Sequence, residues 1–339
     1  MQQEQKKSLG RLPPWIRIRL GRGTAERVHD VLAECGLNTV CTGAQCPNES
    51  ECFRNGTATF MILGNVCTRQ CRFCAVHKGV PLPLDMDEPE RVAQAASRLQ
   101  LRHVVITSVT RDDLPDGGAW VFAHTIRAIH ARLPQSRVEV LTPDFKGAES
   151  SLLCVLNEAP DVFNHNLETV RRIQKLIRPA ADYDRSLNVL RFAADFRDKT
   201  DWRASQDTKT TGCLRDEMRP SEACPSIGCE PPAKDTLEAN RHLRVKSGIM
   251  VGLGETDEEI RCTLQDLRHA GCELVTIGQY LAPSIAHIPV SRFVLPCQFD
   301  KYAKWALEMG FRGVASAPLV RSSYHAGEQW ASAEASGTA

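Results

Sequence analysis

The sequence is poor in aromatic residues and has almost no excess of charge of either sign. Phe, Tyr and Trp make up 6% of its 339 residues, and 42 basic side chains nearly balance 41 acidic ones. This balance gives no reason to expect a nucleic acid or another polyanion as a partner. No apolar run of about 18 residues occurs, which argues against a membrane-spanning helix. The apolar content of 42% is ordinary for a chain with a hydrophobic core.

The N-terminal residues also lack the features of an export signal. Residues 1–10 are polar and contain Lys6 and Lys7, without the apolar stretch that a secretory signal needs. We therefore expect a cytoplasmic protein. In that compartment, a chain with 14 cysteines is more typical of metal binding than of disulfide formation.

Three cysteines form a closely spaced group that we call the cysteine loop: Cys67, Cys71 and Cys74, spaced as C-x3-C-x2-C, with Phe73 before the last. Iron–sulfur clusters usually take four cysteine ligands. A loop that supplies only three leaves one iron able to bind something else, which indicates a catalytic cluster. The motif resembles the signature loop of radical S-adenosylmethionine (SAM) enzymes, in which the open iron binds the amino and carboxylate groups of SAM.

A second group, the upstream triplet, consists of Cys41, Cys46 and Cys52 in a C-x4-C-x5-C spacing. Structural zinc sites usually combine closely paired cysteines or histidines into four ligands, and neither group of cysteines has that form. Two iron–sulfur clusters with three cysteines each are therefore the favoured interpretation. Zinc and disulfides are the alternatives.

The two cysteine groups and several shorter runs together resemble the lipoyl synthase family, whose members insert two sulfur atoms into a protein-bound octanoyl chain. The resemblance covers nearly the whole chain outside one internal segment. Its most specific part, besides the upstream triplet, is the run Arg321-Ser322-Ser323-Tyr324. The other runs that carry it are residues 56–61, 105–114, 116–118, 140–145, 163–169, 246–248 and 278–281.

The resemblance implies two 4Fe–4S clusters with different roles. The cysteine loop would hold the cluster that binds and cleaves SAM, and the upstream triplet would hold an auxiliary cluster that is consumed as the sulfur source. A serine of the C-terminal run is implied as the last auxiliary ligand, and we assign Ser323, with Ser322 as the alternative. The residues implied to lie near SAM are Asp116, Gly117, Gly118, Asn166 and Glu168. Arg178 also matches a family motif. For Arg178, Asn166 and Glu168 alike, buried hydrogen bonding to strand ends is an adequate alternative explanation.

The implied activity is sulfur insertion at carbons six and eight of an octanoyl group on a lysine of a lipoyl domain, with two SAM molecules cleaved. The implied substrates are octanoylated acyltransferase subunits of 2-oxoacid dehydrogenases and the glycine-cleavage carrier protein, and a ferredoxin or flavodoxin would deliver electrons. One alternative is another radical SAM sulfur-inserting enzyme, such as a biotin synthase or methylthiotransferase, which would resemble this chain only at the cysteine loop. The other is a non-enzymatic iron–sulfur or zinc protein.

Short β-rich runs alternate with helical periodicity along most of the chain. Thr256 and Glu259 form a capping box that predicts the start of one helix. The alternation predicts an α/β protein with a parallel sheet built from six βα units, too few for a standard eightfold barrel. The resemblance implies a partial (β/α)6 radical SAM barrel, open on one side, with active groups where strands end.

The predicted organisation has four parts. Residues 1–56 form an N-terminal extension with the auxiliary motif, residues 57–196 and 244–317 form the barrel, and residues 318–339 form a C-terminal tail with the ligating serine. Residues 197–243 interrupt the barrel. Five further cysteines fall on helix or strand patterns and are predicted to be small core residues: Cys35, Cys154, Cys262, Cys272 and Cys297.

The interrupting segment is polar, contains four prolines and has no sustained periodicity. Because so long a structureless stretch is unusual inside a compact domain, we interpret it as a disordered insertion or an error in the gene model. A third metal site at Cys213, Cys224 and Cys229 is the less favoured alternative. Deletion of residues 197–243 is expected to leave both clusters and the activity intact. Iron analysis of the shortened protein tests this, and a loss of iron would contradict it.

Overall fold

A sheet of eight strands forms the centre of the computed structural model, which describes residues 12–16, 25–44, 46–54, 59–207 and 243–335. The strands in chain order are β1 (Asn38–Thr39), β2 (Thr59–Ile62), β3 (Val66–Cys67), β4 (His77–Lys78), β5 (His103–Ser108), β6 (Arg137–Leu141), β7 (Val162–Asn164), β8 (Arg244–Val251), β9 (Leu274–Gln279) and β10 (Gly313–Ala317). The large sheet has the order β1-β2-β5-β6-β7-β8-β9-β10, and β3 pairs with β4 separately.

Helices connect the strands of the large sheet. They are α1 (Ala25–Glu34), α2 (Val40–Gly43), α3 (Glu49–Arg54), α4 (Glu88–Arg98), α5 (Ala119–Arg132), α6 (Glu149–Leu156), α7 (Arg171–Ile177), α8 (Tyr183–Asp207), α9 (Asp257–His269), α10 (Pro296–Glu308) and α11 (Ala326–Ala335). Among the residues that the structure describes, no helix is both long enough and apolar enough to span a lipid bilayer.

The topology confirms the predicted partial barrel. Strand β1 pairs with β2 in the antiparallel direction, whereas every neighbouring pair from β2 to β10 is parallel. Helices follow each parallel strand from β2 to β9, which gives the six predicted βα units. In the described part of the chain β1 and β10 each have one neighbour only, so the sheet is open between them. The parallel strand β10 was not predicted. Its five residues are mostly small, and the run therefore lacks the large apolar side chains that indicate a strand.

The capping box of helix α9 is present as predicted. The Thr256 side chain accepts a hydrogen bond from the Glu259 backbone, and the Glu259 side chain accepts one from the Thr256 backbone. Each of these two hydrogen bonds gives a partner to a backbone amide that has none within the first turn of the helix.

Helix α8 is longer than its sequence pattern predicts. The periodicity predicted an end near Ala194, but the helix continues to Asp207. Beyond the predicted end, Arg197 Nη1 donates to Glu273 Oε2 at 2.7 Å, so a contact with a distant residue supports the added turns. Residues 208–242, including Cys213, Cys224 and Cys229, lie outside the described residues, and the nature of the insertion stays a prediction.

The prediction of core cysteines is correct for three residues and wrong for two. Cys35, Cys154 and Cys272 are buried, but Cys262 and Cys297 are exposed. On helix α9 the buried face is formed by residues three and four apart, such as Ile260 and Leu264. Cys262 lies two positions from each of them and therefore points away from the core.

The barrel interior contains a charged pair that is fully buried. Lys246 Nζ on β8 donates to Glu139 Oε1 on β6 at 2.9 Å, and both side chains are 0% exposed. Asn164 Nδ2 on β7 donates to the same oxygen, and His103 Nε2 lies 3.3 Å from the other. Burial by itself would raise the pKa of Glu139, but Lys246 and His103 outweigh it and lower this pKa to about 2.

Substitution Lys246→Ala is expected to lower the free energy of unfolding by about 3–5 kcal/mol, because it leaves a buried carboxylate unpaired. Lys301→Ala is a matched control, since Lys301 pairs with Asp257 at the surface and should cost about 1 kcal/mol or less. Urea unfolding under anaerobic conditions measures both. The folded-state pKa of Glu139 lies below its ordinary value of 4.5. Its stabilisation is therefore present above pH 4.5 and is lost as the pH falls toward 2. Equal effects of the two substitutions would contradict this account.

Candidate metal centres

The cysteine loop begins just after strand β2 and is held by segments that follow other barrel strands. The Thr68 backbone donates to Thr110 O at 3.0 Å, beyond the end of β5, and the Arg72 backbone donates to Ile177 O at 2.8 Å. His287, in the connection after β9, lies with Nε2 3.2 Å from the carbonyl oxygen of Cys74. The loop is therefore at the carboxyl end of the sheet, where parallel barrels carry their active groups.

The sulfur atoms of this loop lie in a setting that suits a bound cation. Backbone amides of Thr110 and Arg69 donate to Cys67 Sγ at 3.3 and 3.4 Å. Burial raises the pKa of Cys74 to about 11, and burial also raises the pKa of Cys71, although Arg178 opposes that shift. Without metal these two side chains are therefore neutral thiols, and iron has to displace their protons to bind.

Asp116 and the two glycines after it form the turn that opens helix α5. The Asp116 carboxylate accepts hydrogen bonds from Gly118 N at 2.9 Å and Trp120 N at 2.8 Å. A Cβ on Gly118 would lie 2.3 Å from Leu63 Cδ1, and the residue has φ +90°. Gly118 is thus required by its close approach to the residue after β2. A helix-start turn accounts for these residues, and their contact with SAM stays a prediction.

Asn166 and Glu168 follow strand β7 and face the barrel interior. Asn166 Nδ2 donates to Glu168 Oε1 at 3.2 Å and to Ser322 Oγ at 2.5 Å. Asn166 Oδ1 is buried and has no hydrogen-bond partner among the residues described, and it would be 2.8 Å from a Cβ on Gly248. Gly248 is needed here because a side chain would overlap this oxygen. A buried acceptor without a partner among the described residues calls for one, such as a bound ligand.

The backbone and the charge of Glu168 are also unusual. Its φ of 74° lies in the left-handed region, which costs energy for any residue except glycine and is often found at functional sites. Burial raises the pKa of its carboxyl group, while Arg178 and Asn166 oppose this.

Arg178 makes hydrogen bonds to the backbone beyond the end of β7. Its Nη1 donates to Asn166 O at 3.0 Å. This contact agrees with the alternative for Arg178, in which it forms hydrogen bonds at strand ends.

The upstream triplet and Ser323 line one cavity. Thr59, at the start of β2, donates from Oγ1 to Ser323 Oγ at 2.8 Å across 264 positions of sequence. Ser322, by contrast, does not line this cavity and is bound by Asn166. The other residues lining the cavity are Asn48, Arg321 and Tyr324.

Local turns and the returning C-terminal tail shape this cavity. The Cys46 amide donates to Cys41 O at 2.8 Å and the Cys52 amide to Asn48 O at 2.9 Å. These turns bring the three cysteines of the upstream triplet to the same cavity. Asn48 Nδ2 donates to Leu319 O at 2.6 Å, and Tyr324 OH donates to Glu51 Oε1 at 3.0 Å. The tail is thus fastened to the N-terminal extension on both sides of Ser323.

The donor set of the cavity fits an iron–sulfur cluster. Burial, together with the neighbouring thiolates, raises the pKa of Cys41 and of Cys52 to about 12, so the three thiols need a cation to ionise together. In the described ranges no three His, Cys, Asp or Glu side chains converge on one ion. Each thiolate of a cubane binds a separate iron, so such a cluster does not require that convergence, whereas a single zinc ion does.

Strand β2 connects the two groups of cysteines. Its first residue, Thr59, contacts Ser323 of the cavity, and the cysteine loop begins five residues after its last, Ile62. Four residues of strand span about 13 Å. The sequence did not reveal Thr59 and Asn48 as cavity residues, because their partners lie more than 260 positions away.

This chain was compared with known protein families, sequences and structures. A family profile described as the radical SAM superfamily matches residues 61–200. The chain is 48% identical to a lipoyl synthase of Caldanaerobacter subterraneus subsp. tengcongensis over 93% of this chain and 96% of that protein. It is 50% identical to a lipoyl synthase of Methylococcus capsulatus over 94% of this chain and 86% of that protein. The crystal structure of HydG, a maturase of the FeFe-hydrogenase, aligns with a TM-score of 0.49 at 13% identity, covering 86% of this chain and 63% of that chain.

Substitution Ser323→Ala is expected to weaken iron binding in the cavity, whereas Ser322→Ala is expected to leave it near the wild-type level. Only Ser323 lines the cavity with the three thiols. Mössbauer spectroscopy of anaerobically purified protein measures this, because loss of an oxygen ligand changes the signal of one iron. An altered spectrum for Ser322→Ala with an unchanged one for Ser323→Ala would reverse the assignment.

Proposed function

Because the chain belongs to the lipoyl synthase family of the radical SAM superfamily, we propose that it inserts two sulfur atoms into a protein-bound octanoyl group. The insertions take place at carbons six and eight, form the lipoyl cofactor and consume two molecules of SAM. The family implies two 4Fe–4S clusters and SAM as cofactors. The observation that carries the proposal is the cavity that Ser323 and the upstream triplet line together. The three cysteines of the cysteine loop do not line this cavity, so the chain offers two separate sets of ligands.

The cysteine loop is proposed to hold the first cluster through Cys67, Cys71 and Cys74. When bound, this cluster supplies the electron that cleaves SAM, and the auxiliary cluster supplies the sulfur. The amides that donate to Cys67 Sγ stabilise a thiolate there. Asn166 Oδ1, buried and unpaired within the described residues, is suited to accept a hydrogen bond from SAM, with Glu168 beside it.

The upstream triplet and Ser323 are proposed to hold the auxiliary cluster. A serine oxygen is a harder ligand than a thiolate and a weaker match to iron. A site with one such ligand is suited to release that corner when sulfur is removed. Arg321 also lines the cavity, and its positive charge lowers the pKa of Cys46 against the raising effect of burial. It therefore helps to balance the negative charge of the ligands.

The substrates are proposed to be octanoylated lipoyl domains of 2-oxoacid dehydrogenase acyltransferase subunits and the glycine-cleavage carrier protein, with a ferredoxin or flavodoxin as the electron donor. A partial barrel with free edges at β1 and β10 offers a side entrance for a chain attached to a large protein. The location is proposed to be the cytoplasm.

Anaerobic incubation of the protein with an octanoyl-lysine peptide, SAM and dithionite is expected to yield the peptide with two added sulfur atoms. Cys67→Ala should abolish SAM cleavage, because it removes a ligand of the first cluster. Cys41→Ala should still cleave SAM but form no sulfur-containing product. The control is Cys262→Ala, an exposed cysteine outside both groups, which should behave as wild type. Mass spectrometry of the peptide and the amount of 5′-deoxyadenosine measure these outcomes.

Metal analysis of the same preparations separates the alternatives. About eight irons per chain are expected for two clusters of four. Cleavage of SAM with no dithiolated peptide would favour another radical SAM reaction, and zinc in place of iron would favour a structural metal site.

A further inference from the structure

Arg69 belongs to the cysteine loop, between Cys67 and Cys71, but its side chain is only 4% exposed. The guanidinium donates from Nε and Nη2 to the two carboxylate oxygens of Asp112, at 2.7 and 2.9 Å. Nη2 also donates to Asp144 Oδ1 at 2.6 Å. One side chain of the loop thus joins the segment after β5 to the segment after β6.

The acceptor Asp144 is fully buried and has a second cationic partner. Arg185 Nε, on helix α8, donates to Asp144 Oδ2 at 2.8 Å. Burial would raise the pKa of Asp144, but Arg69 above all, with His165 and Arg185, holds it well below its usual range. Asp144 therefore has two cationic partners within hydrogen-bond distance, which a buried carboxylate requires.

Thr68 provides a second attachment at the same place. Its Oγ1 donates to Thr110 O at 2.9 Å and accepts from the Asp112 amide at 3.1 Å. Of the three residues between Cys67 and Cys71, two are therefore bound to the barrel. The third, Gln70, is exposed, which makes it a matched control inside the same loop.

We propose that Arg69 is the positioning residue of the cysteine loop. By bridging Asp112 and Asp144 it fixes the backbone between Cys67 and Cys71, and so the positions from which these cysteines would hold the cluster. The inference rests on the proposed function for the identity of the cluster. A bidentate pair with one carboxylate and a simultaneous bond to another needs the planar fork of arginine, which lysine cannot replace.

The test compares Arg69→Lys, which keeps the charge, with Gln70→Ala and with Arg185→Lys, which removes the other partner of Asp144 from outside the loop. Full-length protein is purified anaerobically, and iron release to a ferrous chelator is followed over time. Arg69→Lys is expected to release about four irons at least tenfold faster than wild type, while the remaining iron is released at the wild-type rate. Gln70→Ala and Arg185→Lys should release iron at the wild-type rate.

A second readout follows the reduced cluster by electron paramagnetic resonance before and after SAM is added. The change that SAM produces in wild type is expected to be diminished or shifted in Arg69→Lys. Wild-type iron release together with a wild-type SAM response in Arg69→Lys would overturn the proposal. Absence of any SAM response in wild type would instead count against the proposed function, and iron release would still decide the role of Arg69.

If Arg69→Lys is purified without either cluster, Asp112→Asn provides the second variant, because Asp112 is partly exposed and its amide keeps the size of the side chain. Selective loss of about four irons from Asp112→Asn supports the proposal. Loss of both clusters from both variants would show a general role in folding and would overturn it.

Discussion

Strand β2 pairs with β1 on one side and with β5 on the other, and all four of its residues are buried. Both candidate metal centres depend on this placement. Thr59 at its start donates to Ser323 of the auxiliary cavity, and the chain beyond its end turns through Leu63 into the cysteine loop. A strand fixed on both sides cannot shift in register without moving its side chains to the other face. The pairing on both sides therefore fixes the two ends of β2, from which Thr59 reaches Ser323 and the chain continues into the cysteine loop.

The buried ionisable side chains of this barrel fall into two groups. Where a charged side chain is buried without metal, a partner lies within hydrogen-bond distance, as for Glu139 with Lys246 and for Asp144 with Arg69. At Cys41 and Cys52, burial and neighbouring thiolates instead raise the pKa to about 12. Their ionisation then depends on a cation from outside the chain. This difference explains how the same protein can have a stable interior and a group of ligands ready for iron.

The returning C-terminal tail contacts both the auxiliary cavity and the segment after β7. Ser322 is bound by Asn166, next to the predicted SAM site, and the adjacent Ser323 lines the auxiliary cavity. The tail is fastened further by Asn48 and Tyr324. These two adjacent residues are thus held by different parts of the barrel, Ser322 by Asn166 and Ser323 by Thr59.

Local sequence determined the features that depend on neighbours along the chain. The spacing of Cys67, Cys71 and Cys74, the capping box at Thr256 and the six βα units could all be predicted, because loops, caps and helical faces involve residues a few positions apart. The end of helix α8, strand β10 and the exposure of Cys262 could not, since each depends on packing against distant elements. The same holds for the contact of Thr59 with Ser323 and for the anchoring of Arg69 by Asp144. Such contacts join positions 75 to 264 residues apart, and only the folded sheet brings them within hydrogen-bond distance.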